Sequence, residues 1–103
     1  MSSSKDFLEF VQEQLSMLSD ITYRAMMGEF IIYYRGKVVG GIYDNRLLVK
    51  PTASVQKIMP NAPLEIPYQG GRPMIMVTDI ENRELLEQLF NVLYSDLPVP
   101  RKK

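Results

Sequence analysis

The chain has 103 residues, of which 46% are hydrophobic and 23% are charged. This length and composition favour one globular domain with a single hydrophobic core, and they exclude a fibrous or largely disordered chain. Because 12 basic residues balance 12 acidic residues, no overall field attracts nucleic acid or an anionic membrane, and any such attraction has to come from a local patch.

The first predicted element is an amphipathic helix from about Ser4 to Leu18. Its apolar residues recur every three or four positions, at Phe7, Leu8, Val11, Leu15 and Leu18. This spacing is the helical period, and Ser3 and Asp6 stand at the spacing of a capping box. Because polar residues interrupt the apolar run, the segment lacks the pattern of a signal peptide. No stretch of the chain approaches the roughly 20 apolar residues of a membrane-spanning helix.

A three-stranded antiparallel meander is predicted next, between Ile21 and Lys50. This segment is rich in β-branched and aromatic residues and has the alternation typical of strands. Gly28, Arg35-Gly36 and Asp44-Asn45 divide it, and the last two are short enough to be tight hairpin turns. Gly40-Gly41, inside the middle strand, indicates a bulge or the close approach of another backbone.

Pro51 marks the predicted end of the meander, because proline cannot donate a hydrogen bond to a sheet. Thr52 can then cap a short helix that runs through Met59. Residues 64–68 and 74–77 are predicted to form a second hairpin, joined by a turn rich in glycine and proline.

A leucine-rich amphipathic helix is predicted to close the fold and to end near Leu97. Thr78 or Asp79 is its predicted cap, and Thr78 with Glu81 matches a capping box. The element order is therefore helix, three strands, short helix, two strands, helix. This order predicts an α+β two-layer sandwich, in which helices cover one face of an antiparallel sheet and the other face stays at least partly open. We expect residues 1–97 to form one domain and residues 98–103 to form a flexible basic tail.

The composition removes most catalytic chemistry, because the chain contains neither histidine nor cysteine. Disulfides, thiolate metal sites, Ser-His and Cys-His nucleophile pairs and the commonest zinc ligand are excluded. Gly40-Gly41 and Gly70-Gly71 extend to no phosphate-binding fingerprint. We therefore expect no enzyme activity, no metal site and no cofactor; an enzyme would need Asp, Glu, Lys or Tyr to act alone with a perturbed pKa. The lack of cysteine and of a signal-peptide pattern makes the cytoplasm the expected compartment.

Positive charge and aromatic residues concentrate in the predicted meander. Five basic residues stand there against Glu29 and Asp44, and Tyr33, Tyr34 and Tyr43 lie among them. Cations and aromatic residues on a sheet are the ingredients of a surface that binds single-stranded nucleic acid. A half-exposed sheet with alternating polar residues has the same pattern, however, and the net charge of zero does not favour direct nucleic-acid binding.

The segment from Arg24 to Lys50 contains a distinctive order of residues: Arg24, Met26, Gly28, Tyr33 or Tyr34, Gly36, Leu47 and Lys50. In this order it resembles the N-terminal domain of the TfoX/Sxy competence-regulator family. That family typically has an Arg, a Met, an aromatic residue and a Gly, then a Tyr-bearing strand, a turn glycine and an apolar strand that ends in Lys. The chain departs from the pattern at Met27, where an aromatic residue is usual, and at Ile31, where glycine is common.

The resemblance implies a role without catalysis and a fold of helix, three strands, helix, two strands and helix, in agreement with the order predicted above. Full-length members of the family resemble coactivators that assist the cyclic AMP receptor protein in turning on competence genes. Those proteins carry a second, helical domain that this sequence does not contain, so we do not expect their complete regulatory function from these residues.

Two hypotheses for function follow. The first is a non-enzymatic interaction module, a transcription- or competence-related regulatory accessory that uses its open sheet face or an edge strand to contact a protein partner or a second copy of itself. The alternative is a small anionic ligand, bound where Arg24 and Lys50 converge near the Gly28 turn. An ion pair of Arg24 with Glu29 or Asp44 would compete with this use. No catalytic residue, metal ligand or membrane contact is expected, and the candidate binding residues are Arg24, Met26, Gly28, Tyr34, Arg46 and Lys50.

Overall fold

The computed structural model describes residues 3–98, in which three helices and six strands follow one another along the chain. Their bounds are α1 Lys5–Gln14, β1 Ile21–Met26, β2 Glu29–Tyr34, β3 Lys37–Tyr43, β4 Arg46–Val49, α2 Ala53–Ile58, β5 Leu64–Glu65, β6 Met74–Met76 and α3 Arg83–Asp96. None of these helices combines the length and apolar character that crossing a bilayer requires. Apart from Pro98, the predicted flexible tail lies outside the described residues.

Within the described residues, the six strands form one antiparallel sheet in the order β1-β2-β3-β4-β6-β5. This arrangement confirms the predicted α+β class and antiparallel sheet. The meander has four strands and not the three we predicted, because β1 pairs with β2 along its whole length. Met27 and Gly28 form the turn between them, with positive φ angles of 52° and 86° that are typical of a two-residue hairpin. The predicted turns at Arg35-Gly36 and Asp44-Asn45 are confirmed, and their residues also have positive φ.

The alternation of side chains divides the sheet into a helix-covered face and an opposite face, which we call the open face. On β2, Ile32 and Tyr34 belong to the core under the helices, whereas Ile31 lies on the open face. The three helices pack on the first face and enclose the buried cluster Val11, Leu15, Ile32, Tyr34, Val39, Ile42, Leu47, Val49, Val55, Ile75, Val77, Leu86, Leu89, Phe90 and Leu93.

The predicted start of the closing helix at Thr78 is wrong. Helix α3 begins at Arg83, and its N-cap is Asn82, whose side-chain oxygen accepts a hydrogen bond from the Leu85 amide at 3.1 Å. The side-chain amide of Asn82 also donates to the Asp79 carboxylate at 3.2 Å. The residues before Arg83 therefore form a separate turn and are not the first turn of the helix. Helix α1 is also shorter than predicted, since it ends at Gln14, four residues before Leu18.

The glycine pair follows directly after the point where strand β3 departs from regular pairing, since Val39 has no partner on β2 and Gly40 pairs with Ile32. The register between β2 and β3 shifts at Ile32 and Tyr33. A Cβ atom added at Gly40 would clash with the carbonyl oxygen of Leu48, which shows how closely β3 approaches β4. Both the bulge and the close backbone approach predicted from the glycine pair are therefore confirmed.

Helix α3 is tied to the sheet through Lys37, which is only 8% exposed. Its ammonium group donates to the carbonyl oxygens of Tyr94 and Leu97, at 2.7 and 2.8 Å, and lies 4.0 Å from the centroid of the Tyr94 ring. A cation at the last turn of a helix satisfies free carbonyl groups and complements the helix dipole. Lys37 thus fixes the C-terminal end of α3 over β3.

Candidate functional site

The open face of the sheet is apolar near its centre. Met26, Ile31 and Val38 come from three neighbouring strands and lie together on it. The ring of Tyr43 lies against the backbone at Gly41, where an added Cβ atom would be 2.6 Å from the ring. Exposing an apolar surface of this kind to water is unfavourable. The segment that covers it therefore determines which part of the open face a ligand can reach.

The segment from Ile66 to Pro73, which we call the β5–β6 loop, covers part of the open face. Arg46 fixes the start of this loop. Its guanidinium group forms an ion pair with Glu65, with 2.9 Å between Nη1 and Oε1, and donates to the Ile66 carbonyl oxygen at 3.3 Å. Because Arg46 is part of β4, these bonds attach the loop to the centre of the sheet.

Two side chains of the β5–β6 loop hold it against the sheet. The ring of Tyr68 meets that of Tyr43 at a centroid distance of 6.0 Å and an angle of 54°, and Pro67 is buried. A hydrogen bond of 2.8 Å from the Gly71 amide to the Tyr68 carbonyl oxygen closes the turn at the tip of the loop. Leu48, on the same face of the sheet, has no exposed surface.

The β5–β6 loop and the open face border a cavity of about 680 Å³. Strand residues form its floor, and loop residues between Pro67 and Pro73 form its wall. Among the described residues that line it, the charged ones are Lys50 and Arg72, and none is acidic. The cavity therefore combines an apolar interior with two cations.

The two tyrosines of the cavity, Tyr43 and Tyr68, supply hydroxyl groups to its lining. Burial raises the pKa of Tyr43, and Tyr68 and Glu29 raise it further. The Tyr43 phenol consequently stays protonated at neutral pH and keeps its capacity to donate a hydrogen bond. No cluster of three or more acidic residues in the described part of the chain could hold a metal ion.

Strand β1 is a second exposed feature, because it forms one edge of the sheet. The Arg35 amide donates to the Asp20 carbonyl oxygen at 2.9 Å, so Asp20 and Arg35 form a hydrogen-bonded pair. The next pair along the ladder, Ile21 and Tyr34, is therefore a non-hydrogen-bonded pair. Since such pairs alternate along a ladder, Ile21, Tyr23 and Ala25 direct their backbone N–H and C=O groups away from β2. Three consecutive pairing positions are thus available at this edge.

The opposite edge of the sheet, β5, is built differently. It has two residues, and Pro63 and Pro67 bracket it. The Met76 amide donates to the Pro63 carbonyl oxygen at 2.9 Å, so Leu64 is the residue whose backbone groups point outward. Short strands and flanking prolines protect sheet edges against further pairing, and β1 has neither.

The sequence-predicted residues Met26 and Lys50 both line the cavity. Arg24 does not lie with Lys50, however. Arg24 on β1 pairs with Ile31 on β2, and Ile31 pairs with Gly41 on β3. Gly41 in turn pairs with a residue of β4. Three inter-strand spacings of about 4.8 Å place Arg24 roughly 14 Å from β4. Lys50 follows β4 at the end away from the Gly28 turn, so the predicted convergence does not occur.

The other predicted residues have structural partners. Tyr34 is 2% exposed and packs in the core against Phe90 and Tyr94, so its side chain cannot contact a ligand on the open face. Arg46 is engaged by the β5–β6 loop. Gly28 lies in the β1–β2 turn, and its carbonyl oxygen accepts from the Ser3 amide at 3.0 Å.

The predicted competitor for Arg24 is also absent, since no ion pair joins Arg24 to Glu29 or Asp44 within residues 3–98. Sequence reasoning missed Arg72, which lines the same cavity as Lys50, whereas Arg24 does not line it. Its surroundings, Gly70-Gly71 and Pro73, identify a turn but do not indicate which part of the sheet that turn approaches.

No protein-family model matches the chain. The chain is similar to an uncharacterized 12.7 kDa protein in the trpE 5′ region of Spirochaeta aurantia, with 29% identity over 104 residues that cover all of this chain and 90% of the relative. The similarity is therefore not confined to the segment from Arg24 to Lys50. The resemblance to the TfoX/Sxy family stays a prediction.

Proposed function

We propose that the chain is a non-enzymatic protein-interaction module that receives an extended segment of a partner along β1. The observation that carries this proposal is the contrast between the two sheet edges: β1 offers three outward-facing residues, whereas β5 has two residues bracketed by prolines. Addition of a strand to a free edge is a common mode of peptide recognition, in which backbone hydrogen bonds supply affinity and neighbouring side chains supply specificity.

Side chains at the end of β1 support the same use. Met27 is 96% exposed and Met26 is 42% exposed. Met27 also has a φ of 52°, a conformation that a long apolar residue adopts at a cost. Long, adaptable apolar side chains at the tip of a hairpin are suited to contact a partner protein. A segment paired with β1 would pass directly beside both residues.

The resemblance to the TfoX/Sxy family supports a regulatory setting for this interaction. Under that hypothesis the chain is a transcription- or competence-related accessory, and its contacts are with protein and not with a nucleic acid. The absence of histidine and cysteine from the sequence agrees with a role that needs no general base and no nucleophile.

The test compares Ala25→Pro with Leu64→Pro as baits in a pull-down from the native host, with quantitative mass spectrometry. Each variant removes one outward-facing N–H group, at the β1 edge and the β5 edge respectively, without removing a bond inside the sheet. Circular dichroism first establishes that both variants fold. Proteins captured by the wild type should be lost with Ala25→Pro and retained with Leu64→Pro.

Equal capture by the wild type and by Ala25→Pro would contradict binding at β1. Light scattering after size exclusion tests the version in which the partner is a second copy. A homodimer through β1 should dissociate in Ala25→Pro, and a strict monomer of the wild type at high concentration would remove that version.

A further inference from the structure

We propose that the cavity under the β5–β6 loop binds a small organic anion, in which a carboxylate or phosphate group is attached to a flat apolar body. This site shares Met26 with the proposed surface at β1, but it uses the open face and not the edge of the strand, so it does not depend on strand addition. Its volume of about 680 Å³ lies within the range of cavities that enclose small organic ligands.

The charge of the lining selects the sign of the ligand. Lys50 and Arg72 both border the cavity, and none of its described lining residues is acidic. Within residues 3–98, neither cation forms an ion pair or a side-chain hydrogen bond. Their donors therefore remain available to a ligand, and charge-assisted bonds from Lys and Arg are the strongest that a protein offers to carboxylate or phosphate.

The shape and polarity of the interior select the body of the ligand. Met26, Ile31 and Val38 form an apolar floor, and the rings of Tyr43 and Tyr68 stand at its side. Because Gly41 has no side chain, the Tyr43 ring can lie against the strand backbone, and the floor of the cavity stays close to the sheet. A flat hydrocarbon or aromatic group can stack in this space, while the two phenols can donate to its polar substituents.

The attachment of the β5–β6 loop makes the cavity a built feature of the fold. Arg46 holds the start of the loop through Glu65 and the Ile66 carbonyl oxygen, and Pro67, which is part of the loop, is buried. Arg72 lies in this same loop, so the bonds that hold the loop also bring Arg72 to the cavity that Lys50 borders from the sheet. One cation thus belongs to the sheet and the other to the loop, and both border the cavity that would receive the anionic group.

The experiment uses the full chain and two fluorescent probes with nearly the same aromatic body. One, 8-anilinonaphthalene-1-sulfonate, carries a negative charge, and the other, N-phenyl-1-naphthylamine, does not. The anionic probe should bind at one site per chain and about tenfold more tightly than the neutral probe. Lys50→Gln and Arg72→Gln should each weaken the anionic probe about tenfold, the effect of losing one charge-assisted bond, and leave the neutral probe within about twofold.

Matched variants exclude a general effect of charge. Lys57→Gln and Arg83→Gln remove exposed cations on α2 and α3, outside the cavity, and should leave both affinities unchanged. Ile31→Trp fills the floor and should abolish binding of both probes. Thermal unfolding of each variant establishes that it is folded before binding is measured.

Competition identifies the anionic group. Displacement of the charged probe by 1-naphthoate, by 1-naphthyl phosphate or by both supports the proposal and ranks carboxylate against phosphate. Displacement by neither overturns it. So would equal affinities of the charged and neutral probes, or an affinity for the charged probe that does not change in Lys50→Gln and Arg72→Gln.

Discussion

The two faces of the sheet are built from the same strands but are covered in different ways. Three helices seal one face and leave residues such as Ile32, Leu89 and Phe90 without exposed surface. A single loop crosses the other face, held by one arginine and a pair of tyrosine rings, and leaves a cavity there. The difference indicates that the first face holds most of the buried core, whereas the second is the face at which we propose that a ligand binds. Substitutions on the two faces should therefore have effects of different size and kind.

The largest effect should come from Phe90→Ala on the helix-covered face. Phe90 is fully buried and meets the ring of Tyr34 edge-on at 5.9 Å. Removing a buried aromatic side chain loses its transfer free energy and leaves a void, so the free energy of unfolding should fall by about 3–5 kcal/mol. Urea denaturation measures this value. A loss below about 1 kcal/mol would mean that the helices do not seal this face.

A smaller loss is expected from Lys37→Met, also under the helices. The substitution keeps the apolar stem but leaves the carbonyl oxygens of Tyr94 and Leu97 without their donor. Hydrogen bonds to a charged group and the cost of unsatisfied buried carbonyls predict a loss of about 2 kcal/mol in urea denaturation. Lys57→Met, at an exposed position of α2, is the control and should change stability by less than about 0.5 kcal/mol. Equal effects at the two positions would contradict the role of Lys37 as the cap of α3.

On the open face, Arg46→Ala should have a modest effect on stability and a large one on local exchange. The ion pair with Glu65 is partly exposed, with 24% and 37% of the two side chains accessible, so solvent screening limits the loss to about 1 kcal/mol. The β5–β6 loop would lose its attachment, and amide hydrogen exchange over 66–72 should accelerate while that of α3 stays unchanged. Arg83→Ala provides a control away from the loop. Unchanged exchange in the loop would show that Arg46 does not hold it.

The smallest effect concerns pH and Tyr23, on the helix-covered side of β1. Burial raises the pKa of Tyr23 from 10.0 to about 12. Because the folded state favours the neutral phenol, this contribution to stability is fully present below pH 10 and is lost as the pH rises through 12. Phenolate absorbance from one tyrosine should appear only near pH 12 and should be missing in Tyr23→Phe. If the absorbance lost in Tyr23→Phe were that which appears near pH 10, the burial of the Tyr23 side chain would be contradicted.

Much of the fold followed from local signals in the sequence. The turns at Arg35-Gly36 and Asp44-Asn45 were predicted because their residue types accept positive φ, and they have it. The short helix after Pro51 was predicted from Thr52, which caps it through the Val55 amide at 3.4 Å. These features depend on residues close together in the chain, where sequence patterns carry the most information.

The features that the sequence did not reveal depend on packing between distant segments. Along β2, Ile31 and Tyr33 are as apolar as Ile32 and Tyr34, so alternation could not indicate which set faces the helices. Tyr34 was consequently predicted at the binding surface when it lies in the core. Gly28 was recognised as a point that divides the segment, but the fourth strand was not predicted, because Met27-Gly28 is a weaker hairpin signal than Asn-Gly or Asp-Gly.

The cavity could not be predicted for a similar reason. Lys50 was identified as a candidate, but its neighbour in the cavity is Arg72, 22 positions later in a Gly- and Pro-rich turn. The ion pair between Arg46 and Glu65 brings that turn back across the sheet. Which of several charged residues forms such a pair is decided by the tertiary structure, and composition alone does not determine it.

The cavity exists because the β5–β6 loop lies across the open face of the sheet and forms one wall of it. Nuclear Overhauser effects between the ring protons of Tyr68 and Tyr43 test it most directly, because the two ring centroids are 6.0 Å apart only when the loop is in place. Strong ring-to-ring effects are expected in the wild type, and they should be lost in Arg46→Ala. If these effects are absent in the wild type and the amides between Ile66 and Arg72 exchange as freely as in an unfolded chain, the loop does not cover the open face and no cavity forms there.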